Sequence, residues 1–178
     1  MIRYCITDRK QGDVIETAHR AVGNRIQMLQ VREKDLEAAA LLELVEQVVG
    51  VAKGTETQVL VNDRLDVALA AGARGVHLPA SGLPVSIVRP YIGLIGASTH
   101  SVAEAKRAEA GGADFVVFGP VFDTPGKATA GLTLLGEVCQ AVKIPVLAIG
   151  GVNEENALVV TGAGASGIAG IRMFQTRR

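Results

Sequence analysis

Six consecutive residues, Leu29 to Lys34, alternate apolar or acidic side chains with polar or cationic ones. An extended strand sends neighbours to opposite faces, so Gln30, Arg32 and Lys34 share one side and Leu29, Val31 and Glu33 the other. Two cations and an amide turned into a folded interior call for an anion, because unpaired buried charge is costly and a guanidinium grips phosphate oxygens in pairs. The competing reading is a set of ion pairs with Asp or Glu on neighbouring strands. A second apolar run, Val59 to Val61, ends in Asn62, Asp63 and Arg64. There Asp63 either holds a divalent cation that bridges to phosphate or caps a helix beginning near Leu65. His77 closes one short apolar run and His100 follows Ser98 and Thr99 after another, so both are candidates for the same mouth. The alternatives are a core imidazole for His77 and a cap or loop residue for His100. His19 reads as a surface helix residue. The stretch Phe118 to Lys127 is a long Gly- and Pro-containing loop that carries the donors Thr124 and Lys127, and long loops after strands commonly bear function. Gly150 and Gly151, and then Gly170, allow backbone N–H groups to approach a phosphate closely.

The elements that must position these residues alternate along the whole chain. Short aliphatic runs at Arg3–Thr7, Met28–Arg32, Gln58–Asn62, Gly75–Leu78, Leu94–Ala97, Phe115–Phe118, Val146–Ile149 and Gly167–Gly170 predict strands. Helical spacing runs over Val14–Val22, Leu36–Ala52, Leu65–Ala71, Val85–Tyr91, Val102–Gly111, Thr133–Val142 and Glu154–Thr161. Eight strands separated by helices predict a TIM (β/α)8 barrel, with its site at the C-terminal strand ends. Only Ile171 to Arg178 follow the eighth strand, so the final helix is expected to be short or missing. An open doubly wound sheet is the alternative fold, although no G-x-G-x-x-G follows the first strand. The 178 residues suit one domain, 1–178.

Composition removes several classes of function. Eighteen basic and eighteen acidic residues give zero formal net charge, which provides no long-range field for nucleic acid or a membrane surface. No apolar run has the length of a membrane span. The start, Met1-Ile2-Arg3-Tyr4, has no basic-then-apolar leader pattern, so a cytoplasmic location is expected. Cys5 and Cys139 lie far apart without metal-ligand spacing, and Cys5 reads as a small buried hydrophobe.

Taken in order, Tyr4-Cys5-Ile6-Thr7-Asp8, Gln30-Val31-Arg32-Glu33-Lys34, Val61-Asn62-Asp63-Arg64, Gly75-Val76-His77-Leu78, Gly96 to Ser101, Phe118 to Lys127 and Ala148 to Val152 resemble the thiamine phosphate synthase family, which also contains thiazole tautomerases. The resemblance covers nearly the whole chain. It implies a transferase that joins hydroxymethylpyrimidine diphosphate to thiazole phosphate and releases diphosphate with the help of Mg2+. Gln30, Arg32, Lys34, Asn62 and Lys127 would hold the pyrimidine diphosphate, Asp63 the magnesium, and Ser98 the pyrimidine side. Thr124 and the backbone of Gly151, with Ile171 and Arg172, would hold the thiazole phosphate. Arg32, Lys34, Ser98 and Lys127 would be the catalytic set.

The resemblance breaks at four positions. Gly82 stands where synthases carry a second magnesium carboxylate, Gly126 where they carry a threonine, and Arg172 where a small residue offers its amide. Pro120 occupies the place of the tautomerase histidine. Reduced synthase activity, a tautomerase, and a regulator that binds the phosphate ligand without turnover are therefore the alternatives. In the tautomerase reading His77 or His100 would carry the proton. The short last helix leaves apolar surface that a homodimer would cover.

Overall fold

The computed structural model describes residues 1–126 and 128–175. Strands and helices alternate as β1 (Ile2–Ile6), α1 (Val14–Gly23), β2 (Met28–Val31), α2 (Ala38–Ala52), β3 (Gln58–Asn62), α3 (Leu65–Ala70), β4 (Gly75–Leu78), α4 (Val85–Val88), β5 (Leu94–Thr99), α5 (Val102–Ala110), β6 (Phe115–Phe118), α6 (Gly131–Ala141), β7 (Val146–Ala148), α7 (Ala157–Gly162), β8 (Gly167–Gly170) and α8 (Arg172–Gln175). Each strand pairs in parallel with the next, and β8 returns to β1 with Ile2 opposite Gly167 and Cys5 opposite Gly170. The closed barrel sets aside the doubly wound sheet, in which β1 and β8 would not meet.

Strand alternation divides the core in two. Outward side chains such as Leu29, Val61, Val76, Ile95, Val116 and Ile168 meet the apolar stripes of the helices, including Ala18, Val45, Val48, Leu135 and Val160. Inward ones, Tyr4, Ile6, Met28, Leu60, Phe115, Val117, Leu147 and Ala169, fill the barrel. Cys5 belongs to the outward set, and burial pushes its thiol up to about 12, so it behaves as a small hydrophobe.

Helix starts are set by local hydrogen bonds. Asp13 Oδ1 accepts from Glu16 N at 2.7 Å and begins α1. At α5, Ser101 Oγ accepts from Glu104 N while the Glu104 carboxylate accepts from His100 N, a reciprocal cap. α7 begins at Ala157, three residues after the expected Glu154, because Asn153 and Asn156 exchange side-chain-to-backbone bonds that hold 153–156 as a turn. α4 stops at Val88, where the Arg89 guanidinium turns onto Asp114 and the carbonyls of Gly112 and Ile92.

The last helix is the short one expected from the sequence. α8 is tied down at its end: Arg20 donates to Gln175 O at 2.9 Å, and Gln175 Nε2 donates to Asp8 O at 3.3 Å in the connection after β1. Beside it a groove of about 660 Å³ opens among Cys5, Ala21, Ile26, Ile168, Met173 and Phe174.

Candidate active site

β2 ends at Val31, so the alternation of the strand carries Gln30 into the barrel but does not extend to Lys34. Lys34 lies exposed in a turn, outside the cavity lining, which corrects its expected placement beside Gln30 and Arg32. Glu33 is the physical reason. Its carboxylate is 5% exposed and accepts from Thr7 Oγ1 at 2.5 Å and Arg9 N at 3.0 Å, pinning the end of β2 to that of β1. The chain bends around this buried acid and Lys34 swings to solvent.

Gln30, Arg32, Asn62, Ser98, Thr124, Gly151, Ile171 and Arg172 line a single cavity of about 860 Å³ at the C-terminal ends of the strands. His77, His100, Gln11 and Asp123 line it too. Gln11 was not singled out in the sequence because its connection has no periodic pattern, and its amide is held by Asp8 at 2.5 Å. Lys127 lies outside the described residues.

One half of the cavity is built from polar side chains on β2 to β5. Gln30, 1% exposed, hydrogen-bonds the hydroxyl of Tyr4 at 2.8 Å. His77 Nε2 and Ser98 Oγ lie 2.9 Å apart, a hydrogen bond between β4 and β5. The imidazole packs among Tyr4 and Phe115, with ring centroids at 5.7 and 6.1 Å, and its Nδ1 is buried with no partner among the described residues. Burial, and secondarily the positive charge of Arg32, push its pKa down to about 3. His77 is therefore neutral and holds the Ser98 hydroxyl, the core-imidazole placement that the sequence offered as the alternative. Arg32 is half-buried, and its guanidinium makes no ion pair or hydrogen bond among the described residues. That arrangement fits the anion reading rather than internal ion pairing. His100 Nδ1 donates to Gly119 O at 2.6 Å, which ties the end of β5 to the loop after β6.

The other half is built from main chain. Ile149 O accepts from Val121 N, Gly150 O from Phe122 N, and Gly151 O from Asn156 Nδ2. Three successive carbonyls are thus directed away, while the N–H groups of Gly150, Gly151 and Val152 have no hydrogen-bond partner among the described residues. All three residues line the cavity. A run of free N–H groups is an anion receptor. Glycine is required here: φ is +89° at Gly150 and +65° at Gly151, and the loop after β6 lies so close that a Cβ on Gly150 would sit 2.3 Å from Pro120 Cβ.

Asp63 adopts φ +62°, a conformation that Asp tolerates better than most residues. It does not cap α3, whose first turn follows Arg64 without a side-chain cap. A Cβ on Gly82 would lie 3.0 Å from Asp63 Oδ1, so position 82 adjoins this carboxylate but contributes none. Among the described residues no three His, Cys, Asp or Glu side chains group as a metal site. One carboxylate suits a magnesium ion that keeps several waters and is held mainly by substrate phosphates.

The family model described as thiamine monophosphate synthase matches residues 3–174. A thiamine-phosphate synthase of Caldanaerobacter subterraneus subsp. tengcongensis is 40% identical over 178 residues, covering 94% of this chain and 83% of that protein. One from Methanocella arvoryzae is 44% identical over 161 residues, covering 86% and 76%. The solved structure of a thiamine phosphate pyrophosphorylase from Pyrococcus furiosus superposes with a TM-score of 0.89 at 36% identity, covering 96% of this chain and 85% of that one.

Proposed function

We propose, because this chain belongs to the thiamine monophosphate synthase family, that it joins hydroxymethylpyrimidine diphosphate to thiazole phosphate and releases diphosphate. One observation carries the reading: a single cavity holds two unlike anion receptors, the unpaired Arg32 guanidinium in one half and the free N–H groups of Gly150 to Val152 in the other. Two phosphorylated substrates need two such ends.

In this reading Gln30, Arg32 and Asn62 receive the pyrimidine diphosphate, with Lys127 in the role that the family resemblance gives it. Ser98, oriented by neutral His77, faces the pyrimidine. Thr124, Gly151, Ile171 and Arg172 receive the thiazole phosphate. Holding both partners by their charged ends converts a bimolecular encounter into a reaction within one complex. As the bond to diphosphate breaks, negative charge grows on the departing oxygens, and the Arg32 guanidinium stabilises that charge. Magnesium, held by Asp63 and the diphosphate, would supply further neutralisation of the leaving group. Because Gly82 offers no second carboxylate, Asp63 would be the one protein carboxylate to hold the metal beside the diphosphate.

The test is incubation of the protein with both substrates, with and without magnesium, reading thiamine phosphate and diphosphate. Equal amounts of the two products, formed only with magnesium, are expected. Tight binding of both substrates with no product would overturn the reading in favour of a regulator. The tautomerase reading has less support in the site: Pro120 carries no proton and His77 is buried against Ser98, which leaves His100, its Nδ1 held by Gly119 O, as the remaining candidate. No helix among the described residues is long and apolar enough to cross a membrane. The reading extends to a homodimer that covers the groove beside α8, which sedimentation at micromolar concentration checks.

A further inference from the structure

We infer that Asn156 is a positioning residue for the phosphate end of the cavity, aiming the Val152 N–H at the ligand through its grip on the Gly151 carbonyl. This rests on the reading of Gly150 to Val152 as the thiazole phosphate receptor.

Asn156 occupies the N-cap position of α7, and an asparagine there ordinarily turns its side-chain oxygen onto the first N–H groups of the helix. Here it does not: α7 has no side-chain cap, and the Val159 and Val160 N–H groups go to the Asn156 main-chain carbonyl instead. The side chain reaches backwards. Nδ2 donates to Gly151 O at 2.9 Å, and Oδ1 accepts from Asn153 N at 2.9 Å, while Asn156 N donates to Asn153 Oδ1 at 3.0 Å. Three bonds therefore close the turn from Gly151 to Asn156 on itself.

The consequence follows from peptide geometry. In a trans peptide the C=O of one residue and the N–H of the next point in opposite directions, and the only cis bond among the described residues is Gly119–Pro120. Drawing Gly151 O onto Asn156 therefore turns the Val152 N–H the other way, towards the cavity that Val152 lines. The two preceding peptides are fixed by the loop after β6, through Val121 N to Ile149 O and Phe122 N to Gly150 O. The third has no such partner in that loop, and Asn156 supplies it. Without the amide, the Gly151–Val152 peptide is free to rotate, since Gly151 has no side chain to resist.

The experiment uses the 15N-labelled chain with inorganic phosphate and thiazole phosphate as probes and the unphosphorylated thiazole alcohol as control. In the wild type, phosphate is expected to shift the amide resonances of Gly150, Gly151 and Val152. In Asn156→Ala the Val152 shift should be lost and thiazole phosphate should bind about fivefold more weakly, the worth of one exposed hydrogen bond. Affinity for the thiazole alcohol should not change. In turnover, KM for thiazole phosphate should rise by the same factor while kcat and KM for pyrimidine diphosphate hold. Equal losses for the phosphorylated and unphosphorylated thiazole, or a wild-type Val152 amide that phosphate leaves unmoved, overturn the inference. The wild-type spectrum gives this answer even without the variant. If the wild type ignores thiazole phosphate but inorganic phosphate moves these amides in an Asn156-dependent way, the synthase reading falls and the role of Asn156 stands.

Discussion

Replacing Gly150 with alanine perturbs the junction between the loop after β6 and the turn after β7. Two costs can be worked from the structure. The backbone sits at φ +89°, where an L side chain is strained by about 1–2 kcal/mol. The new Cβ would also meet Pro120 Cβ at 2.3 Å, Pro120 Cα at 2.5 Å and Thr124 Oγ1 at 3.2 Å. Carbon atoms prefer separations of about 3.5–4.0 Å, so Pro120 must move by more than an ångström, and overpacking of that kind costs about 1–3 kcal/mol. The sum is about 2–5 kcal/mol, or a fall in Tm of roughly 10 °C for a chain of this size. Gly54→Ala is the control, since φ there is +76° but nothing lies within 4 Å of the added carbon. It should cost only the backbone part, about 1–2 kcal/mol. Thermal unfolding of the two variants, with thiazole phosphate titration of each, separates crowding from strain. Gly150→Ala should also lose affinity for the phosphate, because the movement of Pro120 carries Thr124 away from the free N–H groups. Coincident melting curves for the two variants, or undiminished phosphate affinity in Gly150→Ala, would refute the interlocked-junction argument.

Other outcomes follow from single contacts. Arg32→Ala should weaken binding of pyrimidine diphosphate by about 10- to 100-fold, the worth of charged hydrogen bonds, whereas Lys34→Ala, exposed in its turn, should change calorimetric affinity less than Arg32→Ala does. Thr7→Val removes the 2.5 Å bond to buried Glu33 and should cost about 1–3 kcal/mol in urea unfolding; an unchanged midpoint would mean that Glu33 does not need it. Folded His77 titrates at about 3, whereas the unfolded chain binds its proton near the ordinary value of about 6.5. Its neutral state thus contributes fully above the unfolded value, and the contribution is lost as pH falls from there towards 3, by up to about 1.4 kcal/mol per pH unit. His77→Gln should flatten the stability profile between pH 6 and 5, and parallel profiles would refute the neutral imidazole.

The sequence made the barrel legible because a short aliphatic run recurs eight times with helical spacing between, and all eight predicted strands fall within a residue or two of those observed. Arg32, Asn62, Ser98, Thr124 and Gly151 were found as candidates because each closes or follows a strand, the one place where this fold gathers side chains. Lys34 was misplaced because alternation was carried past Val31, and no local pattern announces that Glu33 will be drawn to Thr7, twenty-six residues earlier. The neutrality of His77 was equally hidden, since it depends on Tyr4, Phe115 and Ser98 from other strands. Asn156 read as part of a helix beginning at Glu154, and only its backward hydrogen bonds distinguish it.

The free N–H groups after β7 belong to the peptide chain and not to any side chain, and this gives the site an uneven mutational grain. Substitutions at Asn62, His77 or Ser98 replace a side chain that lines the cavity, while the N–H groups of Gly150 to Val152 stay in place through every exchange that leaves the two glycines and their turn intact. Side chains can change on the β2 to β5 side without disturbing this main-chain half of the cavity. If those N–H groups hold a phosphate as proposed, a chain built this way can change its reaction by a few side chains and still bind phosphorylated small molecules.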